Sequence, residues 1–305
     1  MLLAFLALLP VVLKNDSIIN LAILVLLYVM LSSSWNILGG YTGQTNLGHA
    51  AFFGLGSLAT RLLWISGWPL ALSLLAGGFV AVVLALLIGF PAFRLRGVYF
   101  AIGTLALGQI LFVTVGNVLP QISALPAKYL ASYELLPRYY LFLGLAVLIV
   151  GVASVLVHSR LGLGMMAVRE EEDAAESLGI SALRHKLLAL CASAFLAGLT
   201  GGAFAFYHVG YYPQFPFAPV WTFDAMMMAY IGGTGTIEGP IIGALFYVVV
   251  KELLALKLVE FHLIIFGILF ILVVLFLPGG FVEAWKRVRK ALARQLKSFQ
   301  SRPSP

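Results

Sequence analysis

Charge is what this 305-residue sequence has least of. Aspartate and glutamate number 12, lysine and arginine 19, and the four together make up 10% of the chain, against about a quarter in a soluble domain. Cysteine is nearly missing as well. Cys191 stands alone in an apolar segment, which excludes an intrachain disulfide and a cysteine metal site and leaves a small packing residue. There is no GxxxxGK[ST] loop, so the chain carries no Walker A site for ATP. There is no HExxH, and His49, His158, His185, His208 and His262 are scattered, so neither a metal site nor a catalytic cluster is indicated. The glycine runs do not follow strands, which removes a dinucleotide-binding reading. Acids that fall at membrane depth are limited to Asp224 and Glu238, whereas ion-coupled pumps use intramembrane ionisable groups. Energy for any transport must then come from outside this chain.

What is present is hydrocarbon-like side chain. Hydrophobic residues make up 62% of the sequence and the mean hydropathy is +1.03. Runs of about 20 apolar residues, the length a helix needs to cross a bilayer core, recur along the chain. Alternating segments of about ten residues, the mark of a transmembrane barrel, do not. The expected fold is an all-α polytopic integral membrane protein of about 8–10 transmembrane helices. Spans are expected at 2–13, 17–38, 46–66, 70–90, 98–115, 139–158, 187–207, 221–231, 236–256 and 261–277. The stretch 221–231 is too short to cross alone and reads as half of a broken helix. Residues 1–280 then form one membrane domain, with a polar loop at 159–186 inside it, and 281–305 a basic tail.

The net charge of +7 does not indicate nucleic acid, because seven of the nineteen bases crowd into 286–302. Such a cluster suits anionic lipid at the cytoplasmic face. Arg94, Arg96 and the bases of 160–186 form the other basic loops. An even number of spans separates these segments, so the polar loop and both termini are expected in the cytoplasm. Arg61, near the other end of its span, is expected to snorkel to the interface.

Two glycine-rich interruptions stand out, GGYTGQTNLG at 39–48 and GGTGTIEG at 232–239. Unwound backbone at membrane depth is tolerated only against protein or a water-filled path, and paired interruptions in the two halves of a transporter point to its route. Gly40, Gly43, Gln44, Asn46, His49, Gly232, Gly233 and Gly235 are the candidate path residues. Tight turns and close packing form the competing account, in which Gln44, Thr45, Asn46 and His49 hold the break together. Gln109, in mid-span, fits helix-to-helix glue. Phe52, Phe53, Phe100, Phe204 and Phe206 are candidates for an apolar wall.

The polar loop holds five of the twelve acids: Glu170, Glu171, Glu172, Asp173 and Glu176. Met165, Val168, Ala175 and Leu178 recur at helical spacing, and Gly179 sits where a left-handed cap belongs, so one amphipathic helix is expected over 165–178. Arg169 either meets a partner chain or pairs with Asp173 one turn on.

Within that loop, Asp173-Ala174-Ala175, three residues and then Gly179 resemble the EAAxxxG signature of ABC importer permeases. Aspartate replaces the usual glutamate, and no Leu-Pro follows. Five segments taken in order, 39–58, 93–110, 164–180, 186–205 and 229–246, are similar to the branched-chain amino acid ABC importer permeases, and the resemblance spans 18–278. It implies a coupling helix seated on a separate ATPase, with Arg169, Glu172, Asp173, Ala174, Ala175 and Gly179 as its contact residues. It also implies a second homologous permease subunit, two ABC ATPases that hold ATP and magnesium, an extracytoplasmic solute-binding protein and a bacterial inner membrane. No cofactor is implied on this chain. The cargo implied is leucine, isoleucine or valine. Urea and short amides share the same segments, and an ion-coupled secondary transporter is the reading from another class.

Overall fold

Among the described residues the apolar runs fold into helices, because in hydrocarbon a helix satisfies its own backbone. The computed structural model describes residues 2–13, 15–119, 123–124, 129–130, 133–257, 265, 267–268, 271–272, 275, 279–287 and 289. The helices are α1 (Leu2–Leu13), α2 (Asp16–Gly39), α3 (His49–Ile65), α4 (Leu70–Ala92), α5 (Val98–Val118), α6 (Leu135–Val157), α7 (Arg160–Glu170), α8 (Glu172–Ser177), α9 (Ala182–Tyr207), α10 (Val220–Gly232) and α11 (Glu238–Lys257). Five of them, α2, α4, α5, α6 and α9, are long and apolar enough to cross a membrane. With 12 residues, α1 is about 18 Å long, short of a hydrocarbon core of about 30 Å. The span expected at 261–277 and most of the basic tail lie outside the described residues.

Helix α2 is the mast. The Asn15 side chain accepts from the amides of Ser17 and Ile18 to start it, and every residue from 26 to 38 is buried. It packs on α6, α9, α10 and α11. Helices α3, α4 and α9 form a second tight group, in which a Cβ on Gly56 would run into the backbone of Gly198. The missing side chains let these backbones touch, as small residues do where helices meet in lipid. By contrast α4, α5 and α6 leave Leu87, Tyr99 and Val155 at 70%, 75% and 74% exposure, which suits a membrane solvent.

The polar loop caps one end of the bundle, called here the island end. Its α8 meets the α4–α5 turn through Arg96 and Asp173, 3.3 Å apart. At the far end a two-residue antiparallel pair joins Ser123 to Tyr211 and Ala124 to Gly210. The C-terminus of α9 also lies there, and it corrects the expectation for Arg61. That side chain does not snorkel: Arg61 is 1% exposed and donates to the carbonyls of Ala205, His208 and Val209 at 3.0, 3.1 and 3.0 Å. Carbonyls left over at a helix end attract a cation more strongly in this buried position than the interface does. Arg138 serves the same end, donating to Phe206 O at 3.3 Å.

Candidate functional site

Both glycine interruptions are turns between paired helices. The first, 40–48, reverses the chain between α2 and α3. Thr42 hydroxyl donates to Leu38 O at 2.6 Å, and Trp35 indole donates to Asn46 O at 2.9 Å. Asn46 Oδ1 accepts from Gly48 N at 2.9 Å, and His49 Nε2 lies 2.9 Å from Ser34 Oγ. Asn46 and His49 are thus buried and engaged with their own chain, while Gln44 and Thr45 keep partial exposure and Gly43 is exposed. The second turn, 233–237, joins α10 to α11, and Asp224 of α10 meets Tyr247 of α11 at 2.6 Å across the hairpin. The short 221–231 stretch is therefore one arm of a helical hairpin.

The two turns lie side by side, clamped by Asn36, three residues before the end of α2. Its amide donates to Thr236 O and its Oδ1 accepts from Gly235 N, both at 2.9 Å. Gly40 must be glycine because a Cβ there would fall on the Asn36 amide. Burial, with the Glu238 charge of the second turn adding, pushes the Tyr41 hydroxyl up to about 12.

Arg169 brings the polar loop into the same junction. Its guanidinium donates to Gly40 O at 2.6 Å, its stem lies over Gly43, and its Nη1 fills the space that a Cβ on Gly235 would need. Gly235 has φ +73°, so that position is closed to side chains twice over. Arg169 pairs with the first turn and not with Asp173, whose carboxylate faces Arg96. Gly232 lies against Gly239, and Gly233 against residues 279 and 282. Of the candidate path residues, Gly40, Gly43 and Gly235 meet at Arg169. Asn46 and His49 sit deeper, beside α2. Sequence reasoning missed Asn36; a polar run, Ser32 to Ser34 and Asn36, in the last turns of an apolar helix was the available signal.

The loop itself departs from the single expected helix. Glu171 is extended, φ −158° and ψ 112°, so α7 and α8 are separate helices. Val168, Ala175 and Ala182 form a small core of their own, because two short helices bury these side chains better when folded back on α9. Leu178, expected on the buried face, is 81% exposed. Gly179 has φ +81° with open space around it, the left-handed cap expected. Glu172 points inward to Lys186, while Asp173, Ala174 and Glu176 to Gly179 are exposed.

Phe52, Phe53 and Phe100 are core residues; Phe204 alone of the five aromatics lines a cavity of about 380 Å³, between α2, α9 and Trp221. Asp224 is buried and accepts from Tyr28 at 3.2 Å as well as from Tyr247. Among the described residues no group of three or more His, Cys, Asp or Glu is positioned to hold a metal.

A helical bundle with five helices long and apolar enough to cross a membrane, whose two glycine turns meet a polar loop, has the build of a multi-pass membrane protein. The family model described as "Branched-chain amino acid transport system / permease component" matches residues 17–274. The chain is 30% identical over 298 residues to the high-affinity branched-chain amino acid transport system permease protein LivM of Escherichia coli K12, covering 86% of this chain and 69% of the relative. It is 29% identical to the LivM of Salmonella typhimurium LT2, covering 93% and 74%. It is 24% identical to the probable LivM of Methanocaldococcus jannaschii, covering 84% and 90%. No solved structure matches. The chain belongs to the branched-chain amino acid transport permease family, as a membrane component of an ABC system and not its ATPase.

Proposed function

We propose that this chain is the membrane subunit of an ATP-driven importer for leucine, isoleucine and valine, and that its polar loop is the lever that partner ATPases move. The observation that carries the reading is Arg169. A residue of the loop is bonded to the carbonyl of Gly40 and packed on Gly43 and Gly235, so displacement of the loop pulls on both glycine turns at once. The exposed ridge at 173–174 and 176–179 is the docking surface for the ATPase, and the turns border the route of the amino acid. The basic residues Arg94 and Arg96 and residues 279–282 gather at the island end in support of its cytoplasmic placement. A second permease subunit completes the path, and an extracytoplasmic binding protein delivers cargo at the far end. ATP and magnesium belong to the ATPases.

The test is purification with partners, reconstitution and ATP-dependent uptake of labelled leucine, with urea and a short amide as competitors. Arg169→Ala is expected to keep the ATPases bound and hydrolysing while uptake falls at least tenfold. Uptake without ATP, or an Arg169→Ala variant that transports normally, refutes the lever. Preferential uptake of urea replaces the cargo.

A further inference from the structure

Helix α5 is the least covered long helix that touches the first glycine turn. Only Phe100, Ala101, Thr104, Gly108 and Val115 are buried along its 21 residues, on the side that packs against α3, the end of α4 and residues 215–217. There the attachment is close. Thr104 hydroxyl accepts from Leu47 N at 3.1 Å, and a Cβ added at Gly108 would come within 3.4 Å of Gly48 Cα. The opposite face, Tyr99, Ile102, Ala106, Gln109, Val113 and Asn117, follows a three- to four-residue repeat and is exposed from end to end.

Gln109 stands at the middle of that face, eleven residues from where the helix begins at Val98. Its position fits helix-to-helix glue, but it is exposed and has no hydrogen-bond partner among the described residues. A primary amide has two donors and an acceptor, and hydrocarbon offers it none. The centre of a span is also the depth from which a side chain cannot reach either interface. Lipid is therefore a poor cover for this face. An ATPase or a binding protein, lying outside the bilayer, cannot reach it. A second membrane-embedded chain, carrying its own polar groups at that depth, can.

We infer that the Gln109 face of α5 is where the second permease subunit seats, with the Gln109 amide hydrogen-bonded across the subunit boundary beside the first glycine turn. This rests on the proposed two-permease importer and names the surface it uses. The partner helix presents an amide, a hydroxyl or a backbone carbonyl at the same depth. The rest of its contact is apolar and small-to-medium in size, to match Ile102, Ala106 and Val113.

The experiment uses the complex purified from native membranes. A benzophenone side chain replaces Gln109 or Val113, with Leu87 of α4 and Val155 of α6, both strongly exposed, as controls. Irradiation is expected to join the Gln109 and Val113 probes to a second permease chain, identified by peptide mass, while the control probes take up lipid. Gln109→Leu is expected to raise the dissociated fraction of permease pairs about fivefold, and Gln109→Asn to restore most of the pairing. Adducts with lipid alone, or none, from an intact complex overturn the inference, as does capture of a different membrane protein. Absence of any second permease from an ATPase-containing, transporting complex overturns the two-permease reading itself, which separates the two failures.

Discussion

Lys186 Nζ and Glu172 Oε2 lie 2.5 Å apart, the lysine side chain 3% exposed and the glutamate 24%. This pair pins α8 to the N-terminal part of α9, so the proposed docking ridge and a membrane helix move as one piece. It also divides the acids of the loop, with Glu172 holding the fold and Asp173 facing outward.

Glu172→Gln leaves a buried ammonium without an opposite charge, and a loss of about 2 kcal/mol in the local stability of the loop is expected. Limited proteolysis at 170–181 reads it. Adding Lys186→Met to the same chain should recover most of the loss, because the unpaired charge and not the missing attraction dominates. A double variant as labile as the single one would count against this account.

Asn36 bonds both glycine turns, and Asn36→Leu keeps its branching while leaving the Gly235 amide and the Thr236 carbonyl without it. Loss of the two bonds, with their half-buried partners left without Asn36, is expected to cost about 2 kcal/mol. Leucine uptake should fall further than the yield of folded protein. Equal losses in both would make the clamp a packing element only.

Arg61→Met removes three carbonyl bonds at the end of α9, with an expected cost of about 3 kcal/mol in detergent-solubilised protein. Arg61→Lys should recover less than half, since an ammonium lacks the planar fork that reaches Ala205, His208 and Val209 together. A thermal-melt series of the three proteins decides, and a lysine variant equal to wild type would show that charge alone suffices.

Gly179 and Gly235 both have positive φ, +81° and +73°, but only the second is filled, by the Arg169 guanidinium. Gly179→Ala is expected to cost about 1 kcal/mol at the tip of the loop and to leave the membrane domain intact. Its reading is weaker ATPase co-purification. Gly235→Ala should displace Arg169 and abolish uptake while the ATPases still bind, so the two variants separate docking from transmission.

Much of the organisation was legible in the chain. Apolar run lengths marked the helices, and α2, α4, α5, α6 and α9 fall where those runs do. The two glycine segments and the acidic loop were visible as departures from that pattern. The Asn36 clamp was not, because an asparagine near a helix end carries no mark of a partner 199 positions away. Nor was the Arg61 capping site. Exposure to lipid and burial against a helix terminus look alike for an arginine near the end of a span.

The sequence by itself determined the solvent this protein lives in, the class of fold and the three segments that break its apolar pattern, since hydropathy, glycine content and charge are properties of short stretches. Tertiary structure alone decided that those three segments meet. Arg169 reaches Gly40 and Gly235 only because the α2–α3 and α10–α11 hairpins pack side by side, and Leu178 turns outward only because the extended Glu171 divides the loop helix in two. Contacts between residues distant in the chain are set by how whole helices pack, and no local pattern encodes them.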